Sequence, residues 1–325
     1  MTSPSPLAAG ATVADIGEFG LVRAFVARFE QGAQVYVGPG DDAAVLRAPK
    51  GHVVVSTDLL VEGRHFRREW AGARDIGRRA AAQNLSDINA MGGRATALTV
   101  GLALPRDLPA QWVLDLADGI AEEGALVGAS IVGGDLTAGS EVVIAVTVLG
   151  ECSVAPVLRS GARPGDVLAI AGRQGWAAAG LAVLGRGFRS PRKLVEAHQR
   201  PEPPYDAGPA AAEAGATAMI DVSDGLVADV GHLAEQSGVT IDIDPTAFPL
   251  DEPLQAVGAA LGVDPMQFVL GGGEDHPIVA TFPPGTTLPD GFRPIGQVGP
   301  AGAAGAPAVT VAGTAYEGVP GHTHF

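Results

Sequence analysis

Carboxylate side chains stand beside glycine, serine or threonine at six points of the sequence and could bind cations together. These points are residues 38–42, 56–58, 84–87, 133–135, 221–225 and 271–275. Taken singly, an aspartate beside a glycine is typical of a turn or a helix cap. Mg²⁺, however, takes carboxylate, hydroxyl and water oxygens and usually binds together with phosphate groups. As a set, the segments predict a site in which several Mg²⁺ ions neutralise phosphate charge, as phosphoryl transfer requires.

Asp87 differs from the other carboxylates because the pattern places it inside a helix, next to Ile88 and one turn before Met91. A carboxylate on or near an apolar face needs a partner that offsets its loss of hydration. A cation is one such partner. Asp87 is therefore the exception to the turn-or-cap interpretation of these carboxylates.

The composition excludes several classes of protein. With 36 acidic and 21 basic residues the net charge is -15, which disfavours binding to nucleic acid. Neither of the two lysines lies in a G-x-x-x-x-G-K-[ST] loop, so the sequence excludes a P-loop nucleotidase. Cys152 is the only cysteine, which suits a reducing cytoplasm. No apolar run approaches the roughly 20 residues of a membrane helix, so we expect a cytoplasmic protein without a membrane partner.

Two glycine-rich turns have alternative interpretations. Residues 38–43 match G-x-G-x-x-A, but that dinucleotide fingerprint must open a helix, and residues 43–46 are short and β-like. Two carboxylates also occupy this loop, which favours a metal site. Residues 172–180 form a second such turn, for which close packing is favoured over phosphate binding.

Strands and helices alternate along the chain in two successive halves, which predicts two α/β or α+β domains. We expect a disordered tail over residues 1–16, an N-terminal domain over 17–150 and a C-terminal domain over 151–325. The predicted helices cover residues 21–29, 75–91, 109–127, 225–236 and 254–261, with Asp75 as the N-cap of the second. The clearest strands cover residues 97–104, 141–150, 167–171, 217–222 and 240–243.

In this order, the motifs resemble those of thiamine-monophosphate kinases. The matching segments are residues 17–20 (G-E-F-G), 40–43 (G-D-D-A), 56–66 (S-T-D-L-L-V-E-G-R-H-F), 84–92, 133–135, 159–161, 221–226 and 272–275. The resemblance runs over nearly the whole chain. It implies an α/β (α+β) two-domain fold of the aminoimidazole-ribotide synthetase type. The N-terminal domain would hold a mixed sheet with helices and form a homodimer, and a C-terminal α/β domain would complete the site.

The resemblance also implies the reaction and the residues that serve it. ATP would pass its γ-phosphoryl group directly to the phosphate of thiamine monophosphate, with Mg²⁺ and without a covalent nucleophile or a general base. The implied Mg²⁺ ligands are Asp42, Ser56, Thr57, Asp58, Asp87, Asp135, Asp221 and Asp224. The implied ATP contacts are Gly134, Asp135, Arg159 and Ser223, and the implied thiamine monophosphate contacts are His65, Glu274 and His322.

The chain departs from this family at two places. The family has Tyr-Glu after Gly-Gly-Glu-Asp, where this chain has His276 and Pro277. Near the C-terminus the family has an aromatic residue, where this chain has His322. Both departures concern the thiamine end of the site. The phosphate and metal motifs match.

Two other functions are compatible with the same metal loops. One is an ATP-dependent ligase or cyclase of the aminoimidazole-ribotide synthetase type, against which the segments at 56–66 and 272–275 favour a kinase. The other is a non-enzymatic protein that binds a nucleotide or a thiamine phosphate. A selenophosphate synthetase is disfavoured because its reactive cysteine and lysine near the N-terminus are missing. Transfer of phosphate from ATP to thiamine monophosphate would discriminate these functions.

Overall fold

The computed structural model describes residues 10–37, 45–49, 51, 53–302 and 308–322. The chain divides into two compact units, one containing Met1–Ile88 and Arg94–Glu151, the other Asn89–Gly93 and Cys152–Phe325. Residues 89–93 thus belong with the second unit although they lie in the middle of the first half of the chain. No helix among the described residues has the length and apolar character needed to cross a membrane.

The first unit contains a four-stranded mixed sheet and helices. Its elements are α1 (Val13–Ile16), α2 (Glu18–Val26), β1 (Val35–Val37), β2 (Val45–Leu46), β3 (Val54–Val61), α3 (Ala73–Ala90), β4 (Gly93–Leu104), α4 (Ala110–Val127), β5 (Ser130–Ala138) and β6 (Val143–Cys152). The strand order is β3-β6-β4-β5, with β3 antiparallel to β6 and β4 parallel to β5. The mixed N-terminal sheet expected from the sequence is therefore confirmed.

Close contact between α3 and α4 depends on two glycines. A methyl group on Gly77 would lie 2.1 Å from the carbonyl oxygen of Leu116, and one on Gly119 would lie 2.1 Å from that of Arg74. Neither distance is possible for a real carbon, so only glycine permits this backbone approach. The contact fixes the position of α3, which carries the predicted site segment at residues 84–87.

The second unit contains a seven-stranded sheet with helices between its strands. Its elements are β7 (Val167–Ala171), α5 (Trp176–Gly185), α6 (Arg192–Gln199), α7 (Ala207–Glu213), β8 (Ala218–Asp221), α8 (Leu226–Ser237), β9 (Thr240–Ile243), α9 (Glu252–Leu261), α10 (Met266–Gly271), β10 (Ile278–Phe282), β11 (Phe292–Gly299), β12 (Ala308–Val311) and β13 (Thr314–Ala315). The strand order is β13-β12-β9-β11-β7-β10-β8, and β12 runs parallel to β9 whereas the other described pairs are antiparallel. The expected C-terminal α/β domain is confirmed.

Strands β7, β8 and β10 form the centre of the second core. Every residue of β8 and β10 is buried, as expected for strands covered on both faces. Phe282 packs edge-on against Phe292 with ring centroids 5.4 Å apart. This rigid centre positions the loop that follows β8 at Asp221.

The N-terminal expectations need two corrections. Residues 1–9 lie outside the described part, but Val13–Ile16 is helical, so a disordered tail reaching residue 16 is wrong. Thr12 and Asp15 form a reciprocal capping box there, a T-x-x-D signal that the apolar pattern alone does not reveal. Helix α3 begins at Ala73, so Asp75 lies in its first turn and is not its N-cap.

Candidate functional site

In the first unit, Ser56 of β3 and Asp87 of α3 meet side chain to side chain. The Ser56 hydroxyl donates to Asp87 Oδ2 over 2.6 Å. Asp87 is half-buried on a helix whose neighbouring residues are buried, so the hydroxyl partly offsets its lost hydration. The structure therefore brings together two of the predicted metal ligands.

Asp58 is fixed to the same helix through its main chain. Its N–H donates to Asn84 Oδ1 over 3.1 Å, and Asn84 Nδ2 donates to the carbonyl of Ala80. Asn84 is fully buried and both ends of its amide are used. The motif at residues 84–87 therefore both anchors β3 and presents Asp87 beside it.

Thr57 lies on the opposite face of β3 from Ser56 and Asp58, because successive strand residues point to opposite sides. Its hydroxyl is 2.8 Å from that of Thr147 on β6, and both groups are on the exposed face. The Thr57 hydroxyl therefore does not point toward Asp87.

Gly134 and Asp135 lie on β5, at the other edge of this sheet from β3. A side chain at Gly134 would collide with the carbonyl oxygen of Val100, so a glycine is required there. Asp135 is exposed. His65 follows β3, and its Nδ1 accepts from the N–H of Val61 over 2.9 Å, which leaves Nε2 as the protonated nitrogen of a neutral ring.

In the second unit, the loop from Asp221 to Gly225 joins β8 to α8 and is organised by a buried carboxylate. Asp229, in the first turn of α8, accepts from the N–H groups of Ser223, Asp224 and Gly225 through Oδ2, at 3.0, 3.0 and 3.1 Å. Three donors on one oxygen fix the loop that carries two predicted metal ligands.

The position of Asp229 is electrostatically unfavourable. Burial, together with the charges of Asp221 and Asp224, raises the pKa of Asp229 to about 7 against the lowering effect of the N–H donors. Loops that concentrate like charges in this way need a counter-charge when they are occupied. Asp221, Asp224 and Asp229 thus concentrate negative charge at one loop.

The Gly-Gly-Glu-Asp loop packs directly on the Asp221 loop. The N–H of Glu274 donates to the carbonyl of Ser223 over 3.0 Å, and a side chain at Gly273 would collide with that same oxygen. Glu274 and His276 have φ values of 71° and 52°, in the left-handed region that non-glycine residues rarely adopt. Such conformations cluster at functional sites.

Asp275 connects this loop to α5. Both of its carboxylate oxygens accept from the N–H of Ala177, in the first turn of that helix, at 3.1 and 3.0 Å. Burial raises the pKa of Asp275 to about 6, against the lowering effect of the N–H donor. Asp275 therefore caps α5 and holds Glu274 against the Asp221 loop.

The C-terminal segment also reaches the Asp221 loop. The N–H of His322 donates to the carbonyl of Asp224 over 2.9 Å, and the carbonyl of Pro320 accepts from Ala228 over 3.1 Å. Five predicted site residues of this unit therefore share one location: Asp221, Ser223, Asp224, Glu274 and His322.

Arg159 lies elsewhere in the second unit. Its carbonyl accepts from the hydroxyl of Ser237, at the C-terminal end of α8, whereas Asp224 precedes the N-terminal end. A helix of 12 residues spans about 18 Å, so the main chain of Arg159 lies well away from the Asp221 loop. Its side chain is exposed.

Known protein families match each half of the chain. Models of the AIR synthase related protein match the chain twice, the N-terminal domain at residues 40–152 and the C-terminal domain at residues 163–274. The thiamine-monophosphate kinase of Mycobacterium tuberculosis is 49% identical over 294 residues, which cover 89% of this chain and 88% of that protein. The chain belongs to the thiamine-monophosphate kinase family. The family member from Corynebacterium glutamicum is 42% identical over 308 residues, 92% of this chain and 91% of that protein.

The thiamine-monophosphate kinase fold is also found among solved structures. The structure of AaThiL complexed with AMPPCP and TMP superposes with a TM-score of 0.79 at 31% identity, covering 98% of this chain and 100% of that one. The two-domain fold of the aminoimidazole-ribotide synthetase type is therefore confirmed, as is the family resemblance of the motifs.

The side chains that the resemblance implies as metal ligands are chemically suited to Mg²⁺. The structure brings together the hydroxyl of Ser56 and the carboxylate of Asp87, and hard cations prefer such oxygen ligands. Within the described residues no group of three or more His, Cys, Asp or Glu side chains could hold a metal ion alone. Asp42 lies outside the described residues. Mg²⁺ here would complete its coordination with phosphate oxygens and water, as it usually does.

Two residues of this thiamine-monophosphate kinase site do not emerge from sequence reasoning. Asp229 looks like an ordinary first-turn carboxylate that stabilises its helix, yet it organises the Asp221 loop. Its signal is a second acidic residue shortly after a D-x-x-D-G turn, where N–H groups lack helical partners. His276, noted only as a departure from the family, lies 3.0 Å from Asp221 through its Nδ1 and Oδ2 atoms.

Proposed function

We propose that this chain transfers the γ-phosphoryl group of ATP to thiamine monophosphate, giving thiamine diphosphate and ADP. The observation that carries the proposal is the likeness over 98% of the chain to AaThiL, which was solved with AMPPCP and TMP. AMPPCP is an analogue of ATP, so the two ligands of that relative correspond to the two substrates. The 49% identity to a curated thiamine-monophosphate kinase supports the same activity.

The proposed division of labour follows the two units. The first unit would serve ATP and Mg²⁺ and the homodimer contact, and the second would complete the nucleotide and acceptor site. The residues proposed to hold Mg²⁺ are Asp42, Ser56, Asp58, Asp87, Asp135, Asp221 and Asp224; Thr57 is left out because its hydroxyl lies on the other face of β3. Those proposed to contact ATP are Gly134, Asp135, Arg159 and Ser223, and those proposed to contact thiamine monophosphate are His65, Glu274 and His322. When bound, Mg²⁺ supplies charge neutralisation at the phosphate oxygens.

The proposed transfer is direct and in line. The acceptor phosphate is already largely ionised near neutral pH, since its second pKa is about 6, and needs no general base. The side chains at the Asp221 loop serve instead to position and to balance charge, because phosphoryl transfer depends mainly on these two effects. Asp229 keeps the N–H groups of Ser223, Asp224 and Gly225 in place for this purpose.

We further propose a homodimer formed through the exposed face of β3. Val55 and Leu59 are 62% and 54% exposed on this edge strand, next to Thr57 and to the half-exposed Val53. A row of apolar side chains on an edge strand is typical of a protein–protein interface. A second copy of the chain would cover it. Such a dimer would work in the cytoplasm, without a membrane or nucleic-acid partner.

The activity is tested by incubating the protein with ATP, thiamine monophosphate and Mg²⁺ and measuring thiamine diphosphate. Asp58→Asn should abolish turnover and leave the fold intact, because it removes one charge at nearly constant volume. Asp107→Asn, at an exposed position of the same unit, is the matched control and should behave as the unaltered protein. Absence of product with the unaltered protein would refute the proposal. Near-normal activity of Asp58→Asn at low Mg²⁺ would refute the metal assignment.

A further inference from the structure

His276 and Asp221 form a pair of side chains that are both almost fully buried, with 2% and 5% of their surfaces exposed. Nδ1 of His276 lies 3.0 Å from Oδ2 of Asp221. The pair lies at the end of the contact between β8 and β10, where Ile278 is opposite Asp221. The N–H of Val222 donates to the carbonyl of Pro277 over 3.0 Å and extends that contact by one step. The imidazole is thus held beside the carboxylate by the sheet itself.

The direction of this hydrogen bond follows from the chemistry of the two groups. An ionised carboxylate only accepts, so Nδ1 carries the hydrogen and donates to Oδ2. Oδ2 is therefore engaged, and the rotation of the carboxyl group is restricted. His276 reaches this position with a φ of 52°, a conformation that costs free energy and that the surrounding loop must maintain.

We propose that His276 is a positioning residue that orients the carboxylate of Asp221 so that its other oxygen, Oδ1, contacts the cation bound with ATP. This inference rests on the proposed function, which makes Asp221 a metal ligand. Ligating carboxylates are commonly held by an outer hydrogen-bond donor, and loss of such a donor costs metal affinity. His276 has this relation to Asp221, and it touches neither substrate in the proposal.

The test compares two substitutions that both tolerate a positive φ. His276→Asn keeps an amide N–H near the position of Nδ1, and asparagine enters the left-handed region readily. His276→Gly removes the donor without backbone strain. The measurement is binding of Mn²⁺, a paramagnetic substitute for Mg²⁺, to the full chain with a non-hydrolysable ATP analogue, followed by electron paramagnetic resonance. We expect His276→Gly to raise the Kd for Mn²⁺ by about 10- to 100-fold, and His276→Asn by no more than about threefold.

His198, a buried histidine of α6, provides the control for the loss of an imidazole from the same unit. His198→Gly should lower the melting temperature but leave the Kd for Mn²⁺ unchanged. In an Asp221→Asn background, His276→Gly should have no further effect on Mn²⁺ binding, because the group that it orients is gone. Equal Mn²⁺ affinities of His276→Gly and the unaltered protein, or equal losses for His276→Gly and His276→Asn, would overturn the inference. If the unaltered protein transfers phosphate and Asp221→Asn does not, either result leaves the proposed function standing.

Discussion

The buried carboxylate of Asp229 should make the stability of the metal-free protein depend on pH in a defined direction. Its pKa is about 7 in the folded chain, against about 3.9 for an ordinary aspartate. A carboxyl group whose pKa is raised by folding favours the folded state fully below its unfolded pKa. That contribution is lost as the pH rises from about 4 to about 7. The raised pKa means that the folded protein tolerates the neutral form of Asp229 better than its anion.

The perturbation that isolates this effect is Asp229→Asn, which keeps an oxygen acceptor for the three N–H groups and removes the charge. Between pH 5 and pH 8, linkage predicts that the unaltered protein loses about 3 kcal/mol of unfolding free energy relative to the variant. The assay is urea denaturation with EDTA present, at both pH values. Asp290→Asn, at an exposed loop position, is the control and should shift the curves little and equally.

A constant difference between Asp229→Asn and the unaltered protein at pH 5 and pH 8 would refute the reasoning. Asp229→Ala should instead destabilise the protein at both pH values, because it leaves the N–H groups of Ser223, Asp224 and Gly225 without their acceptor. We expect a loss of about 3 kcal/mol, since a buried donor left unpaired costs roughly 1–3 kcal/mol. Excess Mg²⁺ with ATP should reduce the pH dependence, because a cation beside Asp221 and Asp224 favours the ionised form.

Three further predictions concern the C-terminal segment, the route of phosphoryl transfer and the contact of Asp275 with α5. Deleting residues 322–325 should raise the KM for thiamine monophosphate much more than the KM for ATP, because His322 is tied to the Asp224 loop; an unchanged acceptor KM would remove His322 from the site. Incubation with labelled ATP alone should leave no stoichiometric phosphoenzyme, and trapping one would contradict direct transfer. Asp275→Ala should lower the unfolding free energy by about 2 kcal/mol in urea denaturation, because it removes a buried acceptor from Ala177; an unaltered curve would contradict that role.

Local patterns in the sequence predict much of this fold. Strands β7 and β9 have the predicted bounds, whereas α4 begins one residue later than predicted and α8 is shifted by one residue at each end. Turn glycines and apolar periodicity determine such elements locally. The strand order β13-β12-β9-β11-β7-β10-β8 does not follow from local patterns, because it depends on pairing between residues far apart in the chain.

The candidate site is predictable to a similar degree. Ordered acidic motifs identify the loops, and the structure brings Ser56 to Asp87 and Glu274 to the Asp221 loop. Alternation along β3 separates Thr57 from Ser56 and Asp58, but the sequence could not show which of the two faces lies against Asp87, because this depends on how β3 packs. Nor could it reveal the contact of His276 with Asp221, since 55 residues separate them and neither type alone specifies a partner.

The crossing of α3 and α4 at Gly77 and Gly119 has a consequence for protein engineering. Replacing a helical glycine with alanine is a standard route to thermostability and often gains about 0.4–1 kcal/mol. Here an added methyl group at either position would overlap a main-chain oxygen, and forcing extra methyl groups into packed interiors costs roughly 1–3 kcal/mol. The helices would separate and carry Asn84 and Asp87 away from β3. A stabilising library for this protein should therefore leave both glycines fixed and take its alanines from Gly185 and Gly231, where an added methyl group would meet no atom closer than 4.0 Å.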